Sequence, residues 1–153
     1  MAISPTVAEQ IAKLLNSQNQ LTVEYTATRI INNQDRYIVR LSDDGTAVRG
    51  VVEVKRVQWY QCEIDHLSVD PGAQRQGIGG WLVQKAEERA RQLGARVAQC
   101  TIRVGNVASE QLFSKLGYTA SVTFVNQETG NQATVYQKSL SVSVKHIATK
   151  ITS

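Results

Sequence analysis

The stretch Leu67–Leu93, LSVDPGAQRQGIGGWLVQKAEERARQL, decides the fold of this 153-residue chain. It runs from the end of an apolar strand through a short turn into a glycine-rich loop, and from there into a helix. Gly77, Gly79 and Gly80 stand at the helix entrance, where first-turn N–H groups have no partner within the helix and the helix dipole is positive. Glycines leave these groups accessible to an anion, usually a phosphate, and Arg75 adds a positive charge beside them.

Two other kinds of phosphate-binding loop do not fit this stretch. A Rossmann loop requires a glycine at the last position of G-x-G-x-x-G, and counting from Gly77 that position is Leu82. A P-loop requires G-K-[ST] after its spacer residues, and the sequence contains no such run. One alternative stays open, which is a glycine-rich turn that caps a helix and binds no ligand.

The residues after the loop predict an amphipathic helix. Apolar side chains recur at three- to four-residue spacing at Ile78, Leu82, Ala86, Ala90 and Leu93. Gly94 follows as the predicted C-cap. The loop therefore lies at the start of a regular element rather than in a disordered segment.

Length and composition indicate one globular domain over residues 1–153. Hydrophobic residues make up 42% of the chain and charged residues 20%, which is ordinary for a soluble protein. Cys62 and Cys100, each within a strand-like run, are predicted to be buried free thiols. His66 and His146 are the only histidines and neither lies near a cysteine pair, so no metal site is expected.

The absence of targeting signals and the distribution of charge limit the cellular location and the classes of binding partner that we expect. No apolar run approaches the roughly 20 residues of a membrane helix, and the N-terminus lacks the pattern of a signal peptide. We therefore expect a cytoplasmic protein without a membrane partner. The net charge of +4 is scattered without a basic block, which suits an anionic cofactor better than nucleic acid.

The rest of the chain predicts a mixed α/β order. Ser4-Pro5 opens a helix, Asn106 caps another that ends at Gly117, and Gly50 marks a strand bulge. The predicted strands are Leu21–Asn32, Arg36–Leu41, Thr46–Trp59, Gln61–Val69, Arg96–Val104, Tyr118–Val125 and Ala133–Leu140. The tail 141–153 either extends the last strand or pairs with another subunit, which would make a homodimer.

Two motifs in this order resemble those of the GNAT N-acetyltransferase superfamily. The first is Leu67-x-Val69-x-Pro71 followed by Gln74-x-x-Gly77-x-Gly79, similar to that family's acyl-CoA-binding motif. The second is Asn106-x-x-Ser109-x-x-Leu112-Phe113-x-x-x-Gly117-Tyr118, similar to its next helix. Together the motifs place the resemblance over Gly50–Ser139.

The resemblance implies a fold and a cofactor site. The fold would be a GNAT-like mixed α/β domain, with a mostly antiparallel central sheet flanked by helices and a splayed cofactor cleft between Gln61–Val69 and Arg96–Val104. Acetyl-CoA would be the co-substrate, with no metal. The residues implied in cofactor binding are Leu67, Ser68 and Val69 for pantetheine, Arg75, Gln76, Gly77, Ile78, Gly79 and Gly80 for pyrophosphate, and Asn106 near the pantetheine arm.

Catalysis of direct acetyl transfer requires a base for the amine. Glu63 is the first candidate, because its strand resembles the one that carries the glutamate base in histone-type members of the superfamily. Asp65 is the second, since period-two alternation places it on the same face of the strand. The same alternation predicts that His66 points to the opposite face.

Two positions depart from the family pattern and leave the function open between alternatives. Phe113 stands where many members have a tyrosine that acts as the general acid, and phenylalanine cannot donate a proton. Thr101 stands where ribosomal-protein alanine acetyltransferases have a glutamate. Tyr118 is predicted to be a core aromatic residue. The first hypothesis is an acetyl-CoA-dependent N-acetyltransferase acting on a primary amine of a small molecule or peptide. The alternative is a catalytically weak acyl-CoA-binding regulatory module, and a nucleic-acid-binding domain rests on net charge alone.

Overall fold

The computed structural model of the protein describes residues 2–19 and 23–141. Its helices are α1 (Pro5–Gln18), α2 (Ala27–Asn32), α3 (Ile78–Gln92) and α4 (Val107–Lys115). Its strands are β1 (Tyr37–Leu41), β2 (Val48–Gln58), β3 (Gln61–Val69), β4 (Val97–Arg103), β5 (Thr119–Val125) and β6 (Gln132–Ser139). From residue 142 onward, the prediction for the tail lies outside the described residues.

The six strands form one mixed sheet in the order β1-β2-β3-β4-β6-β5. The pairs β1/β2, β4/β6 and β5/β6 are antiparallel, whereas β3 and β4 are parallel. The parallel ladder joins Gln61–Glu63 of β3 to Val97–Gln99 of β4. The predicted α/β class with a mostly antiparallel sheet flanked by helices is confirmed.

The first helix forms where its capping residues predict it. The Ser4 hydroxyl accepts a hydrogen bond from the Val7 N–H, and Pro5 occupies the first helical turn. Ile11 and Leu15 are fully buried on its apolar stripe. The helix therefore owes its position to one buried face.

The predicted strand Leu21–Asn32 is wrong over its described C-terminal part, which forms α2. Thr26 caps this helix by accepting a hydrogen bond from the Arg29 N–H, and Ile30 is fully buried in the core cluster that includes α1 residues. The β-branched residues of TATRII favour a strand locally, but a cap and a buried side chain decide the outcome.

Contacts divide the chain into two compact units, which we describe separately. The first comprises the described parts of 1–55 together with 64–86, and its core holds Ile11, Leu15, Ile30 and Val51. In it, a Cβ at Gly50 would lie 2.8 Å from Leu82 Cδ1 and 2.9 Å from Ile78 Cγ2. Gly50 therefore permits close approach of β2 to α3, and it also borders the register shift of the β1/β2 ladder.

The second unit comprises 56–63 and the described residues from 87 onward. Its core includes Phe113 and Tyr118, whose rings meet edge to face with centroids 5.0 Å apart. The Tyr118 hydroxyl donates to Glu87 Oε2 at 2.8 Å, and Lys138 Nζ lies 3.1 Å from Glu87 Oε1. Burial and Glu87 raise the pKa of Tyr118, so its proton is held and the residue serves as a core aromatic.

Strand β5 has a surface unlike that of the other strands. All seven of its residues, TASVTFV, are exposed and none is charged.

Within residues 2–19 and 23–141, no helix is both long enough and apolar enough to span a bilayer.

Candidate functional site

The glycine loop places backbone donors at the start of α3. Arg75 and Gly77 both have left-handed backbone conformations, with φ of 67° and 74°. The Trp81 N–H donates to the Gly77 carbonyl at 3.1 Å and so makes the first helical hydrogen bond. The preceding N–H groups of Ile78, Gly79 and Gly80 therefore lie in the turn that has no intrahelical acceptors.

The surface beside this turn is open. A Cβ at Gly77 or Gly80 would meet no atom within 4 Å, and the side chains of Arg75 and Gln76 are exposed. Ile78 is buried and anchors the helix end. The donors, the adjacent guanidinium and the free space together fit a diphosphate group.

Hydrogen bonds from β2 fix the entrance to this loop. The Asp70 N–H donates to the Arg49 carbonyl at 2.8 Å, and Arg49 Nη1 lies 3.5 Å from Asp70 Oδ2. The Ala73 N–H in turn donates to the Asp70 carbonyl at 2.8 Å. The loop is therefore held by the strand that neighbours β3.

The end of β3 presents alternating burial. Ser68 is buried, whereas Leu67 and Val69 are half-buried. The Asn19 side-chain amide donates to Ser68 Oγ at 2.9 Å, and the Ser68 hydroxyl donates to the His66 carbonyl at 3.0 Å. Residue 19 at the end of α1 thereby fixes the strand end predicted to contact pantetheine.

Four polar residues of the first unit form a group that we call the carboxylate cluster. Tyr25 and Glu53 are its buried members, and Lys55 and Asp65 are its half-buried members. The Glu53 side chain is only 2% exposed, and its Oε1 accepts a hydrogen bond from the Tyr25 hydroxyl at 3.0 Å. Lys55 Nζ lies 3.7 Å from Glu53 Oε2 and 3.3 Å from Asp65 Oδ2. The sequence predicted Asp65 as a candidate base, and the structure places it in an ion pair.

His66 adjoins this cluster, contrary to the prediction that it faces away from Asp65. Its ring lies edge to face with that of Tyr25, with centroids 5.7 Å apart and the planes at 74°. The cause is its φ of 52°, which interrupts the strand alternation on which the prediction relied. His66 therefore lies beside the cluster to which Asp65 belongs.

Burial governs the protonation of these groups. Burial lowers the pKa of His66, with Lys55 and Arg29 acting in the same direction, while Asp65 and Glu53 oppose it. Burial and the Glu53 charge raise the pKa of Tyr25. His66 is therefore neutral at pH 7, and Tyr25 is a hydrogen-bond donor.

The remaining predicted site residues lie in the second unit. Glu63, half-buried on β3, is the last β3 residue in the parallel ladder and is paired with Gln99 of β4. The Gln99 Oε1 accepts hydrogen bonds from the side chains of Gln61 and Gln137, so an amide row crosses three strands. Asn106 caps α4 through its side-chain oxygen, which accepts from the Ser109 N–H at 3.4 Å.

Sequence reasoning missed Tyr25, Glu53 and Lys55 as members of a polar cluster. Glu53 and Lys55 occupy alternate positions of β2, so they share a face, and that spacing was the available signal. Tyr25 lies in the segment before α2, far away in sequence, and no local pattern links it to β2. Within the described residues no group of three or more metal-ligating side chains is gathered.

The sequence between residues 8 and 118 matches the family model described as acetyltransferase (GNAT) family. The chain belongs to the GNAT acetyltransferase family. No curated protein sequence gives a significant match.

Solved structures of GNAT fold resemble the chain over nearly its whole length. Ard1 from Thermoplasma volcanium is 18% identical with a TM-score of 0.74, covering 91% of this chain and 95% of that chain. YncA from Salmonella typhimurium, described with its cofactor acetyl-CoA, is 19% identical with a TM-score of 0.76 and 94% coverage of both chains. The ribosomal-protein-S18-alanine N-acetyltransferase from Escherichia coli is 17% identical with a TM-score of 0.69, again with 94% coverage of both. At these identities, the likeness supports the GNAT fold.

Proposed function

We propose that this GNAT protein transfers an acetyl group from acetyl-CoA directly to the primary amine of a small molecule or peptide. The observation that carries the proposal is the loop at the start of α3, with Arg75 and Gly77 in left-handed conformations ahead of N–H groups that have no acceptor within the helix. Family membership over residues 8–118 supports acetyl transfer, and the similar fold of a protein described with acetyl-CoA supports the donor.

The donor would be held by backbone groups for most of its length. Arg75 and the loop Gln76–Gly80 would bind the pyrophosphate, with Arg75 supplying charge and the loop supplying N–H donors. The strand end at Leu67, Ser68 and Val69 would pair with pantetheine, as an added strand does. Asn106 would lie near the pantetheine arm.

The amine must lose a proton before it can attack. A lysine-like amine at pH 7 is only about one part in a thousand neutral. We assign the proton removed during attack to Glu63, because its strand resembles the one that carries the glutamate base in histone-type members of the superfamily. Asp65 is the second candidate.

The oxyanion and the leaving thiolate have separate requirements. The developing oxyanion would be stabilised by the Val69 N–H, a preorganised strand donor. Phe113 is buried and apolar, and Tyr118 donates its hydrogen to Glu87, so neither supplies a proton to the thiolate. We propose that water serves as the acid.

The proposal is tested by calorimetry with acetyl-CoA followed by a free-thiol release assay over a panel of amines. The panel contains a polyamine, an aminoglycoside, free lysine, and peptides with free or blocked N-termini. Acetyl-CoA binding with thiol release on one amine class is the expected result. Binding without release on any amine would favour a regulatory acyl-CoA-binding module, and absence of binding would overturn the assignment of the loop.

A further inference from the structure

His66 has a backbone conformation that a strand residue rarely adopts. Its φ of 52° lies in the left-handed region, which is sterically unfavourable for a residue with a Cβ. Such conformations persist where the surroundings impose them, and they cluster at active sites. A glycine would satisfy the backbone at lower cost, whereas histidine places an ionisable imidazole at this position.

One contact to the backbone of His66 and one contact to its ring support this conformation. The Ser68 hydroxyl donates to the His66 carbonyl, and the Tyr25 ring packs against the imidazole edge to face. The residue is half-buried, so part of it is open to solvent. His66 is thus a supported and accessible imidazole three residues before the proposed oxyanion donor Val69.

The charged groups around His66 are already paired with each other. Glu53 accepts from Tyr25 and lies beside Lys55, while Asp65 lies 3.3 Å from the same ammonium. Arg29 from α2 stacks over the Tyr25 ring, 4.4 Å from its centroid. The imidazole can therefore accept a proton without breaking any of these ion pairs.

We propose that the His66 imidazole accepts the first proton of the acceptor ammonium, before the amine attacks. The inference rests on the proposed function, since it concerns the same acceptor. The reaction consumes a primary ammonium and releases an amide, a thiol and one proton. The C–N bond forms, the C–S bond breaks, and the thiolate ends with one of the two protons that the nitrogen loses.

The nitrogen loses its two protons in two separate transfers, and a different residue accepts the proton in each. The proton lost before attack goes to His66 and then to solvent, which accounts for the net proton released. The proton lost during attack goes to Glu63 and ends on the thiol through water. A neutral imidazole suits the first event because burial lowers the pKa of His66, so it is unprotonated at pH 7.

The acid limb of the pH profile distinguishes these roles. We would measure kcat/KM against pH for the wild type, His66→Asn and Glu63→Gln, using the amine identified by thiol release. Asparagine tolerates a left-handed backbone, so His66→Asn removes the imidazole without demanding a new conformation. Calorimetry with CoA serves as the folding control for both variants.

We expect wild-type kcat/KM to fall below pH 6.5, the ordinary pKa of histidine. His66→Asn should lose about 10²-fold in kcat and lack this acid limb, whereas Glu63→Gln should keep the limb. His66→Gly leaves room for added imidazole, which should restore part of the activity. An active His66→Asn enzyme with the wild-type limb would overturn the role of His66 and leave the proposed function standing.

An NMR titration tests the same inference without turnover. The chain has two histidines, so His146→Asn assigns the His66 imidazole resonance unambiguously. We expect His66 to titrate below pH 6.5 and its resonance to shift when the acceptor amine is added in the presence of CoA. Titration above that value, or no response to an amine that is a substrate, would overturn the inference. A wild-type protein inactive on all amines would instead refute the proposed function.

Discussion

At the scale of single residues, the acetyl-transfer proposal depends on carboxylates that differ in their surroundings. Glu53 is buried, whereas Glu63 and Asp65 are both half-buried on β3. A base must reach its proton, so accessibility matters before basicity does. Burial therefore disfavours Glu53, and of the two half-buried carboxylates Glu63 occupies the position that the family resemblance implies for the base.

Replacing Glu63 by glutamine should lower kcat by about 10²-fold, the typical contribution of a positioned base. The binding of CoA should be unchanged, because the proposed pyrophosphate site lies on the loop after β3. Asp65→Asn is the matched comparison, and we expect it to affect activity less. Wild-type kcat in Glu63→Gln would remove the residue from the mechanism.

At the scale of elements, the α3 entrance combines a binding surface with a packing constraint. Its outer side is open at Gly77 and Gly80, while its inner side meets β2 at Gly50. The two sides make opposite demands on added side chains. Substitutions on them should therefore have separable effects on binding and on stability.

The outer side is tested by Gly79→Glu, which should abolish detectable CoA binding in calorimetry. A carboxylate there would occupy the anion site and repel the phosphates. Gln84→Glu makes the same change in net charge at an exposed position of the same helix and should leave binding unaffected. Equal affinities for the two variants would exclude the loop from the cofactor site.

The inner side is tested by Gly50→Ala, which should lower the free energy of unfolding by about 1–3 kcal/mol through overpacking. The added Cβ would be 2.8 Å from Leu82 Cδ1 and 3.3 Å from the Ser68 carbonyl oxygen, which has little freedom to move. Gly80→Ala has open space and should stabilise the helix by about 0.5–1 kcal/mol. Urea denaturation measures both, and a neutral Gly50→Ala would mean that α3 can shift.

At the scale of the whole molecule, protonation of individual groups contributes to stability in different pH ranges. The pKa of His66 is lower in the folded chain, so its contribution is present above 6.5 and is lost as pH falls through the folded-state pKa. Asp44 accepts hydrogen bonds from Ser42 and Thr46 that lower its pKa from 3.8 to about 2. Its contribution is present above pH 3.8 and is lost as pH falls toward 2.

The thermal midpoint should therefore begin to fall as pH is lowered through 6.5, and His66→Asn should fall less over the same interval. Below pH 3.8 the variant and the wild type should decline in parallel, because Asp44 is common to both. Scanning calorimetry from pH 8 to about 2.5 measures this in one series. Identical curves would show that protonation of His66 does not oppose folding.

Much of the fold could be predicted from local patterns. Strand β3 has its predicted bounds, Gln61–Val69, because apolar alternation and flanking turns bound it on both sides. The start of α1 follows from Ser4 and Pro5. The helix α2 could not be predicted, since the burial of Ile30 depends on packing with elements distant in sequence.

The candidate site was less predictable than the fold. The glycine loop is a local motif, so its position was readable from the sequence. The carboxylate cluster depends on Tyr25 meeting Glu53, residues that are 28 positions apart. The conformation of His66 was hidden for another reason: a positive φ is usually signalled by glycine, and a histidine gives no such signal.

The left-handed backbone conformation of His66 also affects which amino acids selection would favour at this position. A library randomised at position 66 and screened only for resistance to heat should enrich glycine and asparagine, which fit a φ of 52° at lower cost. The same library screened for growth dependent on acetylation should return histidine. Selection for stability and selection for activity would then favour different amino acids at position 66.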